Sequence, residues 1–152
     1  FTPDGFYRTG DIGRLDADGF LYLVGRKAEI IKTSTGRRVS PAAVEAVYGQ
    51  SPYIDQVVVF GHGRKNLVAL IAPKPAALAE VGGAEGPAVR DLLRRELDRL
   101  GPALAAHEQV HAFAVLPEPL SVAAGELTPT LKLRRNRIAA RYQSVLDGLY
   151  QE

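Results

Sequence analysis

The chain has 152 residues, 46% hydrophobic and 24% charged, the balance of a folded globular polypeptide and not of a disordered one. A formal net charge of +2 is too close to balance to point to a nucleic-acid partner, and the absence of cysteine excludes disulfides, thiolate zinc sites and a cysteine nucleophile. No apolar run approaches the roughly 20 residues of a membrane span and no signal-peptide pattern is present, so a cytoplasmic location is the default expectation.

Residues 12–24, "IGRLDADGFLYLV", predict a β-hairpin, with Asp-Ala-Asp-Gly as the turn and Gly19 supplying the positive φ of a tight loop. "GRKAEIIKTSTGRRV" follows, a short apolar pair at Ile30-Ile31 running into a polar Thr-Ser-Thr-Gly loop. Ser40-Pro41 predicts a helix start, the hydroxyl as cap and the proline where its missing N–H costs nothing, with Val44, Val47 and Tyr48 inward and Gly49 at the end. "DQVVVFGHG" and "LVALIAPK" read as a hairpin too apolar to be solvated on both faces, ended by Pro73 and Pro75. After a "GGAEGP" loop, Val89, Leu92, Leu93, Leu97, Leu100 and Leu104 follow helical spacing, with Arg90, Asp91, Arg94, Arg95 and Glu96 opposite. "VHAFAVL" predicts one more strand, and "PEPLSVAAGELTPT" a long loop. A last helix carries Ile138, Tyr142, Val145, Leu146 and Leu149 on one stripe.

Strands and helices mix without regular βαβ alternation, which predicts an α+β fold, and the sequence shows no internal repeat. The histidines His62, His107 and His111 lack metal-like spacing and are expected at the surface or at strand ends; no metal site is predicted. The basic run from Lys132 to Arg141 has no interleaved aromatics of the kind that stack bases, so no nucleic acid is expected. There is no methionine, and the sequence opens Phe-Thr-Pro-Asp-Gly, so it is expected to be the back end of a longer polypeptide.

Three stretches occur in order: "YRTGDIG" at 7–13, "GRKAEIIKTSTGRRVSPAAVE" at 25–45 and "LTPTLKLRR" at 127–135. Together they resemble the carboxy-terminal motifs of the adenylate-forming superfamily, the acyl-CoA synthetases, peptide-synthetase adenylation domains and luciferases, and look most like long-chain fatty acyl-CoA synthetases. The resemblance implies a small mobile C-terminal domain, with short antiparallel sheets packed on about three helices. Residues 28–152 would form it, and 1–27 the tail of a large N-terminal domain. It further implies a ligase joining a fatty acid to CoA with ATP, through an acyl-adenylate, releasing AMP and pyrophosphate. ATP and CoA are then substrates, and Mg2+ is expected with ATP, held mainly by the large domain. Alternatives are a ligase loading a carrier protein's phosphopantetheine, or a non-catalytic interaction module of this fold. The expected partners are the large domain, fatty acid, ATP and CoA, with peripheral membrane contact compatible but no span.

The resemblance also assigns roles. Asp11 accepts hydrogen bonds from the ribose hydroxyls, a job suited to an acceptor-only carboxylate; on local sequence alone it is a turn aspartate after Gly10. Arg26 reaches the ribose or phosphate region, where by itself it would be a solvated charge. The hinge falls on Ala28, a departure from the Asp or Lys usual in the family. Gly36 lets backbone approach the pantetheine tunnel, and Arg37 and Arg38 meet CoA phosphates; a plain turn with exposed arginines fits the same residues. Lys132 bridges the substrate carboxylate and the α-phosphate, held by a flexible loop with Gly125 and Pro129. Without the motif it would belong to a solvated basic helix start with Arg134, Arg135 and Arg137.

Overall fold

The computed structural model describes residues 1–151, and everything structural below refers to them. The predicted hairpin forms: β1 (Asp11–Leu15) pairs antiparallel with β2 (Leu21–Arg26), and Asp16 closes the turn by accepting the N–H groups of Asp18 and Phe20. A single 3-10 turn, Lys27–Glu29, leads to a second small hairpin of β3 (Ile31–Lys32) and β4 (Arg38–Val39). Helix α1 (Pro41–Tyr48) starts as predicted, with the Ser40 hydroxyl accepting the Ala43 N–H and Pro41 in the first turn. The same hydroxyl donates to the Val24 carbonyl at 2.9 Å, tying β2 to the start of α1.

A three-stranded sheet, β5 (Ile54–Phe60), β6 (Leu67–Pro73) and β7 (Val110–Val115), forms the centre of the fold. The β5–β6 hairpin is antiparallel, but β7 pairs parallel to β6, so the sheet is mixed where only antiparallel pairing was expected. A parallel neighbour needs a crossover, and α2 (Pro75–Val81) with α3 (Pro87–Leu100) supplies it. Helix α2 was unforeseen because Pro75 was read as a breaker. It is instead an N-terminal proline behind an extended Lys74, and Gly82, at φ +78°, ends the helix in the left-handed conformation.

The alternation along the strands explains the layers. Val57, Val59, Leu67, Ala69, Ile71 and Phe113 pack with Val44, Tyr48, Val89, Leu93 and Leu97 of α1 and α3, and Ile31 and Val39 join them. Val58, Val68, Leu70 and Ala72 pack on the other face with Ile138, Leu146 and Leu149, joined by Leu127 and Leu133. Strand β6 is buried on both faces, which is why "LVALIAP" reads as continuous apolar sequence.

Two expectations on the helices fail. Glu96 does not face solvent: it is 7% exposed, accepts the Ser51 hydroxyl at 2.6 Å and is paired with Arg99, whose hydrogen bond holds its carboxyl below the usual range. The last helix is two, α4 (Arg135–Arg141) and α5 (Gln143–Leu149), broken where Tyr142 leaves helical geometry at φ −105°, ψ 22°. The break turns Val145 to solvent while Ile138, Leu146 and Leu149 stay buried. Five α-helices among the described residues thus replace the three expected, within the predicted α+β class.

Candidate functional site

Lys132 ends a five-residue hairpin loop, Thr128-Pro129-Thr130-Leu131-Lys132, bracketed by an antiparallel bridge between Leu127 and Leu133. The Thr128 N–H donates to the Lys132 carbonyl at 2.8 Å, and the Lys132 N–H donates back to the Thr128 hydroxyl at 3.0 Å. Leu131 N–H donates to the Thr128 carbonyl at 2.8 Å, and the Thr128 and Thr130 hydroxyls bond each other at 3.0 Å. The lysine is therefore held by a closed hydrogen-bonded loop, not by the flexible one the glycine and proline suggested.

The Thr-Ser-Thr-Gly-Arg loop at 33–37 has the same construction. Thr33 N–H donates to the Arg37 carbonyl at 2.9 Å, Arg37 N–H to the Thr33 hydroxyl at 3.1 Å, and Gly36 N–H to the Thr33 carbonyl at 3.0 Å. The Thr33 and Thr35 hydroxyls are 2.9 Å apart, and Lys32 pairs with Arg38 across the base. Each loop is Thr-x-Thr-x-cation, with its fourth residue left-handed: Gly36 at φ +81° and Leu131 at φ +62°. A short structural repeat is present where the sequence showed none.

The loops are rooted on opposite faces of the sheet, Ile31 and Val39 belonging to the α1–α3 core and Leu127 and Leu133 to the α4–α5 core. Gly36, Arg37 and Arg38 are exposed, and a Cβ added at Gly36 would meet nothing within 4 Å, so its backbone can be approached closely. Lys132 is also exposed, and among the described residues no carboxylate lies within ion-pair distance of it. Asp11 and Arg26 are cross-strand partners joined by an ion pair at 2.9 Å from Nε to Oδ1, which leaves the second carboxylate oxygen available as an acceptor. Ala28 sits exposed on the 3-10 turn between hairpin and domain, anchored upstream by the Lys27 N–H on the Gly10 carbonyl.

Residues 28–152 match the model of the AMP-binding enzyme C-terminal domain. The chain belongs to that family. It is 35% identical over 162 residues to the long-chain-fatty-acid–CoA ligase FadD15 of Mycobacterium tuberculosis, covering 98% of this chain and 27% of that one. Against the long-chain-fatty-acid–CoA ligase ACSBG1 of Mus musculus it is 31% identical over 179 residues, covering 98% and 25%. Among solved structures, the A domain of carboxylic acid reductase from Segniliparus rugosus, in complex with AMP and a carboxylic acid, matches with TM-score 0.87 and 34% identity over 99% of this chain and 24% of that one. The adenylation domain of the carboxylate reductase of Mycobacterium chelonae gives 0.88 and 31%, over 100% and 24%. The chain spans about a quarter of the length of these relatives.

In this AMP-binding C-terminal domain, the residues that fasten the two loops escaped the sequence reading. Glu126, 2% exposed, accepts Arg141 at 2.7 Å, the Tyr142 hydroxyl at 3.3 Å and the Ser121 N–H at 3.0 Å. Burial and this carboxylate push the Tyr142 hydroxyl up, keeping it a donor. Arg135, expected to be solvated, instead grips Glu45 through two nitrogens at 2.6 and 3.2 Å and donates to the Val59 carbonyl at 3.0 Å. The only sequence signal for either was an acidic residue beside apolar neighbours. His62 lies at the surface as expected, yet its Nδ1 accepts the Lys32 N–H at 3.4 Å, and Ser34 N–H donates to the Arg64 carbonyl at 2.9 Å. The turn at 61–64 thereby backs the 33–37 loop. A groove of about 860 Å³ lies between Ala28, this turn and α4–α5, edged by Arg134 and Arg137.

Proposed function

We propose that this chain is the mobile C-terminal domain, with the tail of the large domain, of an ATP-dependent long-chain fatty acid–CoA ligase. The observation that carries the reading is Lys132: a cation without a carboxylate partner among the described residues, presented on a closed loop beside a basic run in which Arg135 and Arg141 are already engaged. In the first half-reaction the acid's carboxylate oxygen attacks the α-phosphorus of ATP, the bond to pyrophosphate breaks, and an acyl-adenylate forms. Two anions converge in that step, and the Lys132 ammonium offsets their repulsion. In the second, the CoA thiol displaces AMP, with the Gly36 loop admitting the pantetheine arm and Arg37 and Arg38 facing CoA phosphates. Asp11 and Arg26 hold the ribose and phosphate region through both, and Ala28 is the pivot. Mg2+ belongs with ATP on the large domain; among the described residues no group of three potential ligands converges here.

Residues 1–27 read as the large domain's tail because they have no core of their own. Not one of the described residues 1–26 is buried, and Phe1, Phe6, Tyr7, Leu15, Phe20 and Leu23 are each at least 66% exposed. So much apolar surface on a two-stranded hairpin marks a face that another folded body covers. The family match beginning at residue 28 supports the same division.

The test is Lys132→Ala in the full-length ligase. Acyl-adenylate formation, followed by ATP–pyrophosphate exchange, is expected to fall about 100- to 1,000-fold, the loss seen when one transition-state charge partner is removed. Exchange at the unaltered rate would return the domain to a non-catalytic module. Likeness to an A-PCP didomain of carboxylic acid reductase, TM-score 0.85 at 33% identity, favours a second reading of the acceptor alone. Supplying free CoA or a phosphopantetheinylated carrier protein to the same enzyme separates the two.

A further inference from the structure

We infer that Leu131 is a positioning residue for adenylate formation, an apolar plug that travels with Lys132 and seats against the acid-binding face of the large domain. The inference rests on the reading of Lys132 above.

The two Thr-x-Thr-x-cation loops make the same hydrogen bonds and demand the same left-handed backbone at their fourth residue. The 33–37 loop meets that demand with Gly36, the residue that adopts it without penalty. The lysine loop meets it with Leu131, the one non-glycine residue at positive φ among the described residues. For an L side chain that conformation presses Cβ against its own backbone. Leu131 recovers little for this within the domain, since it is 70% exposed. Beside it Val122 is 44% exposed, and both residues border a shallow groove of about 570 Å³ whose lining is mixed, Leu120, Leu127 and Leu133 together with Glu45, Asp55 and Gln56. A strained conformation kept at a working loop, with a glycine solution in the same molecule, points to a use for the side chain itself.

The covalent neighbourhood says what that use is. Leu131 precedes Lys132 directly, so the loop that delivers the ammonium carries an isobutyl group with it. Excluding water around the converging carboxylate and α-phosphate strengthens their attraction to the ammonium, and a fixed apolar contact fixes the reach of the lysine.

The experiment compares Leu131→Gly, Leu131→Asn and Leu131→Met in the full-length ligase. Glycine and asparagine both accept the left-handed backbone, asparagine at nearly the size of leucine but polar; methionine restores apolar bulk. ATP–pyrophosphate exchange with a long-chain acid is expected to lose about tenfold in kcat for Gly and Asn, with the KM for ATP unchanged and no fall in melting temperature. Met is expected to restore most of the rate. Thioester formation from supplied acyl-adenylate and CoA should be unaltered in all three. Wild-type exchange in Gly and Asn, or an equal loss in the thioester step, overturns the inference. Lys132→Ala run alongside separates the failures. If it abolishes exchange while Leu131→Gly does not, only the role of Leu131 falls; if it exchanges normally, the reading of the loop falls first.

Discussion

The loops at 33–37 and 128–132 share one hydrogen-bonded design but are fastened to the fold by different means. The first leans on backbone: Ser34 N–H on the Arg64 carbonyl, Gly63 N–H on the Lys32 carbonyl, and one long bond from Lys32 N–H to His62. The second adds charge to its backbone bonds (Arg134 N–H on the Glu126 carbonyl, Glu126 and Leu127 N–H on the Ser121 carbonyl), with Glu126 clamped by Arg141 and Tyr142 ahead of it and Arg135 locked on Glu45 behind it. The difference suits the two jobs proposed. A loop that frames a passage needs its backbone in place. A loop that delivers an ammonium to two anions gains from having Arg135 and Arg141 already engaged beside it.

The largest effect that would sharpen this comparison is Glu126→Ala. It removes the acceptor shared by the Ser121 N–H, the Tyr142 hydroxyl and the Arg141 guanidinium, and is expected to cost about 2 kcal/mol in urea denaturation, the range for hydrogen bonds to a buried charged group; Arg141, itself half exposed, is rehydrated. A loss within the scatter of a surface substitution would show that the lysine loop is not held by charge. Next is Gly36→Val. No atom lies within 4 Å of the added Cβ, so crowding contributes nothing; the left-handed backbone at φ +81° is what a β-branched residue resists. A cost of about 1–2 kcal/mol is expected, with the thioester half-reaction falling and the adenylation half-reaction kept. If both half-reactions fell together, the assignment of one loop to each step would break.

Much of the frame was legible because it rests on local rules. The 11–26 hairpin, the Ser40-Pro41 cap and the stripe from Val89 to Leu97 follow from turn chemistry, capping and periodicity. The rest depends on pairs that no window spans. Arg135 and Glu45 are 90 residues apart, and Glu96 needs Ser51, 45 residues upstream, to be comfortable indoors. The break at Tyr142 was invisible because the apolar stripe continues across it, while the tyrosine hydroxyl is drawn to Glu126. The motifs located Lys132 and Gly36 but could not show that their loops are copies. The signature of the left-handed position is a glycine, and one copy has leucine instead.

The threonines make the closest test of that equivalence. Thr33→Val and Thr128→Val each remove the hydroxyl that accepts the N–H of the loop's cation, from Arg37 at 3.1 Å and from Lys132 at 3.0 Å. Each hydroxyl also bonds the loop's second threonine, so if the loops are one device the two substitutions should cost similar amounts, about 1–2 kcal/mol, the net worth of two such hydrogen bonds. Thr33, at 5% exposure, should lie at the upper end, because water cannot replace the lost partner there as readily as at the half-buried Thr128.

The smallest expected effect belongs to His62→Ala. At 3.4 Å its bond to the Lys32 N–H is near the limit of the interaction, and both residues are exposed, so water can take over the donor. About 0.5 kcal/mol or less should be lost in thermal denaturation, with the thioester half-reaction close to wild type, because the bonds from Ser34 to Arg64 and from Gly63 to Lys32 use backbone atoms that the substitution leaves in place. A loss as large as that from Glu126→Ala would mean that the 33–37 loop also hangs on a side chain, and the contrast between a loop held by backbone and a loop held by backbone and charge together would be gone.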